Sequence, residues 1–158
     1  MGEIEKIEKT EWQHASWVSS LGKWAWIIGI INGLVGIIWA IYQIIVLTAL
    51  WEYLPGAYVP TTEIWWIIAS IVGIVISLLI IKPKFSNPCG EKDWDALYSW
   101  VLNLGGFNIP WMFVWGLLLF VFGWYGWAGL AVLIPAVMLI FAGPKEYNWS
   151  SGEKKAEK

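Results

Sequence analysis

The amino-acid sequence predicts an all-α integral membrane protein with four transmembrane or hairpin helices, arranged as two tandem helical hairpins that each follow an interfacial amphipathic helix. Three observations predict this fold. Of the 158 residues, 58% are hydrophobic and 14% are charged, whereas about a quarter of the residues in a soluble domain are charged. The apolar residues form four runs, and the segments that lead into these runs contain an internal repeat. The bilayer is therefore the solvent in which this chain folds.

The repeat relates residues 11–33 to residues 93–116. At an offset of 83 residues, Ser16-Trp17-Val18 matches Ser99-Trp100-Val101, and both copies run into two apolar segments that end at a Pro-Lys pair. A repeat of this kind indicates one structural unit that is used twice. The predicted units are residues 1–84, residues 85–145 and a polar, Lys-rich tail over residues 146–158.

The first unit is predicted to contain an amphipathic helix over about residues 4–22 and spans over about residues 24–50 and 64–81. With a rise of about 1.5 Å per residue, the first span reaches about 40 Å, which exceeds the roughly 30 Å thickness of the hydrocarbon core. The second span is just long enough to cross that core. Pro55 and Pro60 in the intervening segment predict a loop between the two spans.

The second unit is predicted to contain an amphipathic helix over residues 93–105 and spans over about residues 107–122 and 129–142. On a helical wheel, the apolar residues of 93–105 fill one arc and the polar residues lie opposite. Both spans are short, and the last one contains Pro135. Short spans either cross a thinned bilayer or enter the bilayer as a wedge, and the sequence leaves both possibilities open.

The amphipathic helices are expected to lie along the membrane surface with their apolar faces among the headgroups. The 15 Trp residues of the chain lie mostly near the predicted span ends, where the amphipathic indole ring anchors a protein to the interface. The helix over 93–105 could instead be a connector that packs on the end of the bundle. The predicted membrane-interface residues are Trp17, Val18, Trp94, Leu97, Trp100, Val101 and Leu104.

Small residues form a stripe along each of the first two spans. Their spacings of three and four residues place them on one helix face, and small residues let helix backbones approach closely in lipid. The contact lies either within one chain or between two chains, and a homodimer or higher homo-oligomer is expected. The predicted helix-packing residues are Gly29, Gly33, Gly36, Ala40, Ala69, Gly73 and Ser77.

The charged residues predict the orientation of the chain in the membrane. The sequence contains ten Lys and no Arg. If all four runs cross the bilayer, both termini and the segment between the hairpins share one side, and that side holds every Lys. Because Lys enrichment marks the cytoplasmic side, both termini are predicted to be cytoplasmic.

The residue types predict no catalytic, cofactor or metal site, and so no enzyme. One Cys and one His cannot form a multi-cysteine metal site or a haem cage. The lack of Arg removes the side chain that clamps phosphate with two hydrogen bonds, so no nucleic-acid partner is expected. No Asp, Glu, Lys, Arg or His lies within a predicted span, whereas ion-coupled carriers usually need an ionisable group there. The expected partner is the lipid bilayer.

The segment between the hairpins resembles the REEP family of membrane-shaping proteins, which are relatives of the reticulons. The resemblance rests on Lys82-Pro83-Lys84, on Glu91-Lys92-Asp93-Trp94 and on Tyr98-Ser99-Trp100-Val101, together with the layout of the hairpins. The segment from Tyr147 to Lys158 departs from the family pattern, because the long amphipathic helix expected in that family is not predicted there. The resemblance implies wedge-like hairpins that favour curved bilayers and oligomerise.

These observations lead to one principal hypothesis and two alternatives. The principal hypothesis is a non-enzymatic membrane protein that shapes or organises the bilayer through hairpin wedges, interfacial helices and self-association. One alternative is a passive channel or small-solute carrier, for which Asn32 and Gln43 in the first span are candidate polar residues. The other alternative is a small accessory subunit of a larger membrane complex.

Overall fold

The fold is known from a computed structural model, which describes residues 12–53 and 59–151, and it is mostly helical (78%). The helices are α1 (Ala15–Ala49), α2 (Thr61–Ile76), α3 (Asn87–Glu91), α4 (Trp94–Ser99), α5 (Trp111–Phe122) and α6 (Trp127–Ala142). A π-helical segment, Ser77–Ser86, joins α2 to α3, and short 3-10 turns, Trp51–Tyr53 and Trp124–Gly126, follow α1 and α5. The strands β1 (Val101–Leu104) and β2 (Phe107–Pro110) form a hairpin between α4 and α5.

Three helices are long and apolar enough to cross a membrane. They are Ala15–Ala49, the continuous helix Thr61–Glu91, and Trp124–Ala142. Helix α5 is also apolar but has only 12 residues. These helices confirm the predicted class of a largely helical protein with helices of membrane-spanning length.

Helix α1 is continuous from Ala15, so the predicted division between an amphipathic helix over residues 4–22 and a span over residues 24–50 is wrong for the described part. Gly22 lies inside the helix, where its missing side chain lets α1 approach the Cys89 side chain closely. The Cys89 thiol is buried by this contact. The first part of the predicted amphipathic helix, up to residue 11, lies outside the described residues.

The second predicted span also continues beyond its expected end at residue 81. From Ser77 the helix widens into the π form, in which each N–H bonds to the carbonyl five residues earlier, and Pro83 lies inside this segment. A proline lacks the N–H that a regular helical ladder needs, yet the helix proceeds to Glu91. No break therefore separates the predicted units at residues 84 and 85.

The predicted helix over residues 93–105 is wrong after Ser99, because β1 begins at Val101 and pairs antiparallel with β2. Gly105 and Gly106 have φ values of 57° and 95°. A two-residue hairpin turn requires positive φ, which glycine adopts without strain. Helix α5 consequently begins at Trp111, four residues later than the predicted start of the third span. The two copies of the sequence repeat thus differ in local structure.

The small-residue stripe of α1 faces α2 within one chain, and the two helices are antiparallel. Gly29 lies against Ser77, Gly33 against Ile74, and Gly36 against Ser70. The remaining predicted packing residues, Ala40, Ala69 and Gly73, are buried as well. Helices α5 and α6 form a second antiparallel pair, in which α6 packs on α1 and α5 packs on α2. One buried core cluster includes Ile81, Phe85, Met112, Leu119, Val132 and Leu139.

Candidate functional site: a stepped helical bundle

The turn that joins α5 to α6 lies beside the middle of α1. The side-chain amide of Asn32 donates a hydrogen bond of 2.7 Å to the Trp124 carbonyl, and the ring centroids of Trp124 and Trp39 are 6.2 Å apart. On the other side of the turn, the Phe122 and Trp65 ring centroids are 6.0 Å apart. The turn is therefore level with residues 32–39 of α1.

Helix α1 extends well past this turn, and α2 begins at Thr61, four residues before Trp65, so the two helices create a step in the bundle. Helix α1 continues from Trp39 to Ala49, which corresponds to about 15 Å. Helices α5 and α6 have 12 and 16 residues and reach about 18 and 24 Å, less than the roughly 30 Å of a hydrocarbon core. One end of the molecule, the broad end, therefore contains four helices side by side. The opposite end, the narrow end, contains the ends of α1 and α2, and no described residue of α5 or α6 reaches it.

The surface at the narrow end is apolar and aromatic. Ile45 on α1 is 62% exposed and Ile64 on α2 is 47% exposed. A cavity of about 410 Å³ lies at the step itself, and its lining includes Trp39, Trp66 and Trp124 but no charged residue among those described. Extended apolar surfaces of this kind are stable only against lipid or protein. The step can accommodate acyl chains.

The Asn32 side chain stabilises the step by a hydrogen bond to the α5–α6 turn. It is 6% exposed, and its amide satisfies a turn carbonyl that would otherwise lack a partner in apolar surroundings. Its side-chain oxygen also lies against Gly123 on the other side of the turn. The sequence made Asn32 a candidate polar residue of a channel. In the structure, its side chain holds the α5–α6 turn beside the middle of α1.

A polar and aromatic cap, formed by α4, the β1–β2 hairpin and residues 143–151, closes the broad end. The Tyr98 hydroxyl lies 2.6 Å from the Leu139 carbonyl oxygen and 2.9 Å from that of Lys145. The Lys145 ammonium forms an ion pair with Asp95 on α4. These contacts tie α4 to the last turn of α6, whose final carbonyls have no partner within the helix.

The first residues of the predicted tail pair with the β-hairpin. The Asn108 N–H donates to the Trp149 carbonyl, and the Ser151 N–H donates to the Gly106 carbonyl, both over 2.8 Å. The Tyr147 hydroxyl donates to the Asn108 carbonyl over 3.0 Å. The tail therefore adds to the edge of the hairpin as far as residue 151, and the rest of the predicted tail lies outside the described residues.

The seven predicted membrane-interface residues differ in exposure. Val18 and Leu97 are only 1% and 0% exposed, so the prediction that they contact headgroups is wrong, because both side chains face the bundle. Trp94 packs edge-on against Trp12 with ring centroids 5.5 Å apart. Helix α4 thus acts as the connector that the sequence left open as an alternative. The other five residues are exposed (Trp17 and Leu104) or half-buried (Trp94, Trp100 and Val101).

Replacing Tyr98 with phenylalanine should destabilise the protein by about 1 kcal/mol, since the Leu139 and Lys145 carbonyls lose a donor. Burial raises the pKa of the Tyr98 hydroxyl above its usual value of 10.0. The folded state therefore holds this proton more tightly. The stabilisation is complete below about pH 10 and declines as the pH rises through the raised pKa. The measurement is fluorescence-monitored unfolding in mixed micelles at several pH values.

The control for this prediction is Tyr125→Phe, because the Tyr125 side chain is 75% exposed. We expect this variant to unfold as the unmodified protein does. Equal stability of the Tyr98→Phe variant and the control would contradict the role assigned to the Tyr98 hydroxyl.

Among the described residues, no group of three or more His, Cys, Asp or Glu side chains is placed to hold a metal ion.

Comparison with known proteins finds no relative. No protein-family model, no curated protein and no solved structure matches this chain. The resemblance to the REEP family therefore stays a prediction from the segment between the hairpins.

Proposed function

We propose that this protein is a non-enzymatic integral membrane protein that shapes the bilayer as a wedge. Helices α1 and α2 cross the membrane as a long hairpin, while α5 and α6 enter from the broad end and turn inside the hydrocarbon core. The observation that carries the proposal is the step, at which Asn32 holds the Trp124 carbonyl beside the middle of α1.

The positions of Lys23 and Lys82 support this depth. Each lysine lies at the broad-end boundary of an apolar run, the first beginning at Trp24 and the second ending at Ile81. Asn32 lies about 14 Å along α1 from Lys23, and Ala49 lies about 26 Å farther on. If the lysines mark the headgroup level, the α5–α6 turn, which is level with residues 32–39 of α1, lies about 14–24 Å below it and thus inside the hydrocarbon core.

A protein of this shape occupies unequal areas in the two leaflets. A helix with its side chains is about 10 Å across, so four helices occupy about twice the cross-section of two. The leaflet that contains the broad end is expanded relative to the other leaflet. Lipids accommodate this difference at least cost where the broad-end leaflet is convex.

The charge distribution supports a cytoplasmic broad end. The described lysines, namely Lys23, Lys82, Lys84, Lys92 and Lys145, all belong to segments at this end, and Lys enrichment marks the cytoplasmic side of membrane proteins. Both termini would then be cytoplasmic, and the cytoplasmic leaflet would be the convex one. Self-association, which the sequence predicts, would add the effects of several wedges.

We expect the reconstituted protein to accumulate on small vesicles with its broad end outward. A dye on Asn103→Cys, in a Cys89→Ala background, reports the broad end because Asn103 is exposed on β1. The ratio of dye to lipid fluorescence should rise as the vesicle diameter falls. A membrane-impermeant quencher should show an increasing outward fraction over the same series.

The matched control is a variant in which the step is filled. Adding about seven apolar residues, or two helical turns, to α5 after Phe122 and to α6 before Trp127 would lengthen the short hairpin by about 10 Å. This variant should distribute evenly over vesicle sizes if it keeps the protease resistance of the parent protein. An even distribution of the parent protein itself would overturn the proposed function.

A further inference from the structure

A groove with two lysines runs between α1 and the extension of α2 on the outer surface of the broad end. It encloses about 440 Å³, and its lining includes Lys23, Trp24, Trp26, Lys82, Asn87 and Glu91. The two lysines come from antiparallel helices, and each stands where an apolar run meets polar sequence. The groove thus combines positive charge, aromatic rings and an apolar floor at one level of the molecule.

Neighbouring groups orient both lysine side chains. The Lys82 ammonium lies 4.4 Å from the Trp26 ring centroid, and the Lys23 ammonium lies 5.8 Å from that of Trp24. The stem of Lys23 also lies over Gly90, where an added Cβ would be 3.2 Å from the Lys23 Cγ. Cation–π contacts and the stem contact hold the ammonium groups at the groove while leaving them exposed.

The charge of the groove favours an anion. No carboxylate forms an ion pair with Lys23 or Lys82 among the described residues, and Glu91 is the carboxylate that lines the groove. The lining therefore carries a net positive charge. Lysine binds phosphate as a compact point charge, and basic pockets between membrane helices at the headgroup level bind anionic lipid.

We infer that this groove binds the phosphate headgroup of an anionic phospholipid, with the first carbons of its acyl chains against Trp24 and Trp26. The inference rests on the membrane insertion that the proposed function assumes, but it does not depend on curvature. The binding site would select lipid headgroups by charge at the broad end. The step, in contrast, would act on bilayer curvature through its shape inside the hydrocarbon core.

The test uses the full chain in flat lipid nanodiscs and measures the association of spin-labelled phosphatidylglycerol relative to spin-labelled phosphatidylcholine. The unmodified protein should prefer phosphatidylglycerol. Lys23→Gln and Lys82→Gln should each lower this preference by about fivefold, the effect expected for one lysine near an anionic headgroup. Glu91→Gln should raise the preference, because it removes the carboxylate that repels the phosphate.

The matched control is Lys84→Gln, which removes the same charge from an exposed residue outside the groove. An equal loss of preference in Lys84→Gln and Lys82→Gln would overturn the inference in favour of diffuse attraction. Displacement of the lipid by inorganic phosphate at equal concentration would overturn it in favour of a free-anion site. Co-elution of the protein with the nanodisc shows insertion. Inserted protein without lipid preference therefore contradicts this inference alone, and failure to insert contradicts the proposed function.

Discussion

Replacing Gly33 with alanine is expected to destabilise the protein by about 1–2 kcal/mol, whereas Gly73→Ala is expected to stabilise it by up to about 1 kcal/mol. A Cβ at position 33 would lie 2.5 Å from the Ile74 Cγ1 and 2.9 Å from the Ser70 carbonyl oxygen. The carbonyl belongs to the backbone of α2, so it moves aside only if α1 and α2 separate. At position 73 the nearest atom is the Leu119 Cδ2 at 3.9 Å, which is an ordinary contact.

The two glycines form a matched pair because both are buried within a long apolar helix and both receive the same substitution. Alanine has a better helix propensity than glycine at both positions, so only the close contact distinguishes them. Equilibrium unfolding in mixed micelles, followed by Trp fluorescence, measures both free energies. A gain of stability in the Gly33→Ala variant would contradict the close packing of α1 on α2. Gly33→Leu extends the series and should prevent the two helices from packing.

Replacing Asn32 with alanine is expected to cost about 2 kcal/mol, because the Trp124 carbonyl then lacks a donor in apolar surroundings. The α5–α6 turn should loosen from α1 as a result. Hydrogen exchange at the amides of residues 123–126 should accelerate in this variant, while exchange along α1 stays unchanged. The accumulation on small vesicles should weaken, since the proposed wedge depends on a turn held at a fixed depth.

The control for Asn32 is Gln43→Ala on the same helix. Gln43 is half-buried, and no hydrogen bond to it is present among the described residues. Its truncation should change stability by less than about 0.5 kcal/mol, as is usual away from buried networks. Equal effects of the two substitutions would show that the amide of Asn32 does not hold the turn.

The long apolar helices were predictable because an apolar run in lipid has few ways to pair its backbone groups. A long apolar run must satisfy its N–H and carbonyl groups internally, and a helix does so. The ends of α1 and α6 therefore fall close to the predicted ends at residues 50 and 142. The packing stripes were also recognisable, since small residues at spacings of three and four occupy one face. Their partner was not predictable, because the same stripe serves contacts within a chain or between chains.

The broad end was predicted less well because its structure depends on distant contacts. The apolar residues over 93–105 have helical spacing, yet the chain leaves the helix after Ser99. Gly105-Gly106 between two apolar strands is a hairpin signal that could have revealed this. The pairing of residues 147–151 with the hairpin, and the Tyr98 contacts with α6, join residues about 40 positions apart. No local sequence pattern predicts such long-range contacts.

The residues alone were enough to show that this chain forms apolar helices of membrane-spanning length, that its lysines lie outside the apolar runs, and that α1 carries a face for close packing. These properties follow from local composition, because the solvation of each segment depends on its own residues. Only long-range packing brought the glycine face of α1 against α2 within one chain, turned Leu97 and Val18 inward, and stopped the short hairpin beside Asn32. These outcomes depend on which surfaces meet, so shape and hydrogen-bond complementarity between distant segments selects them.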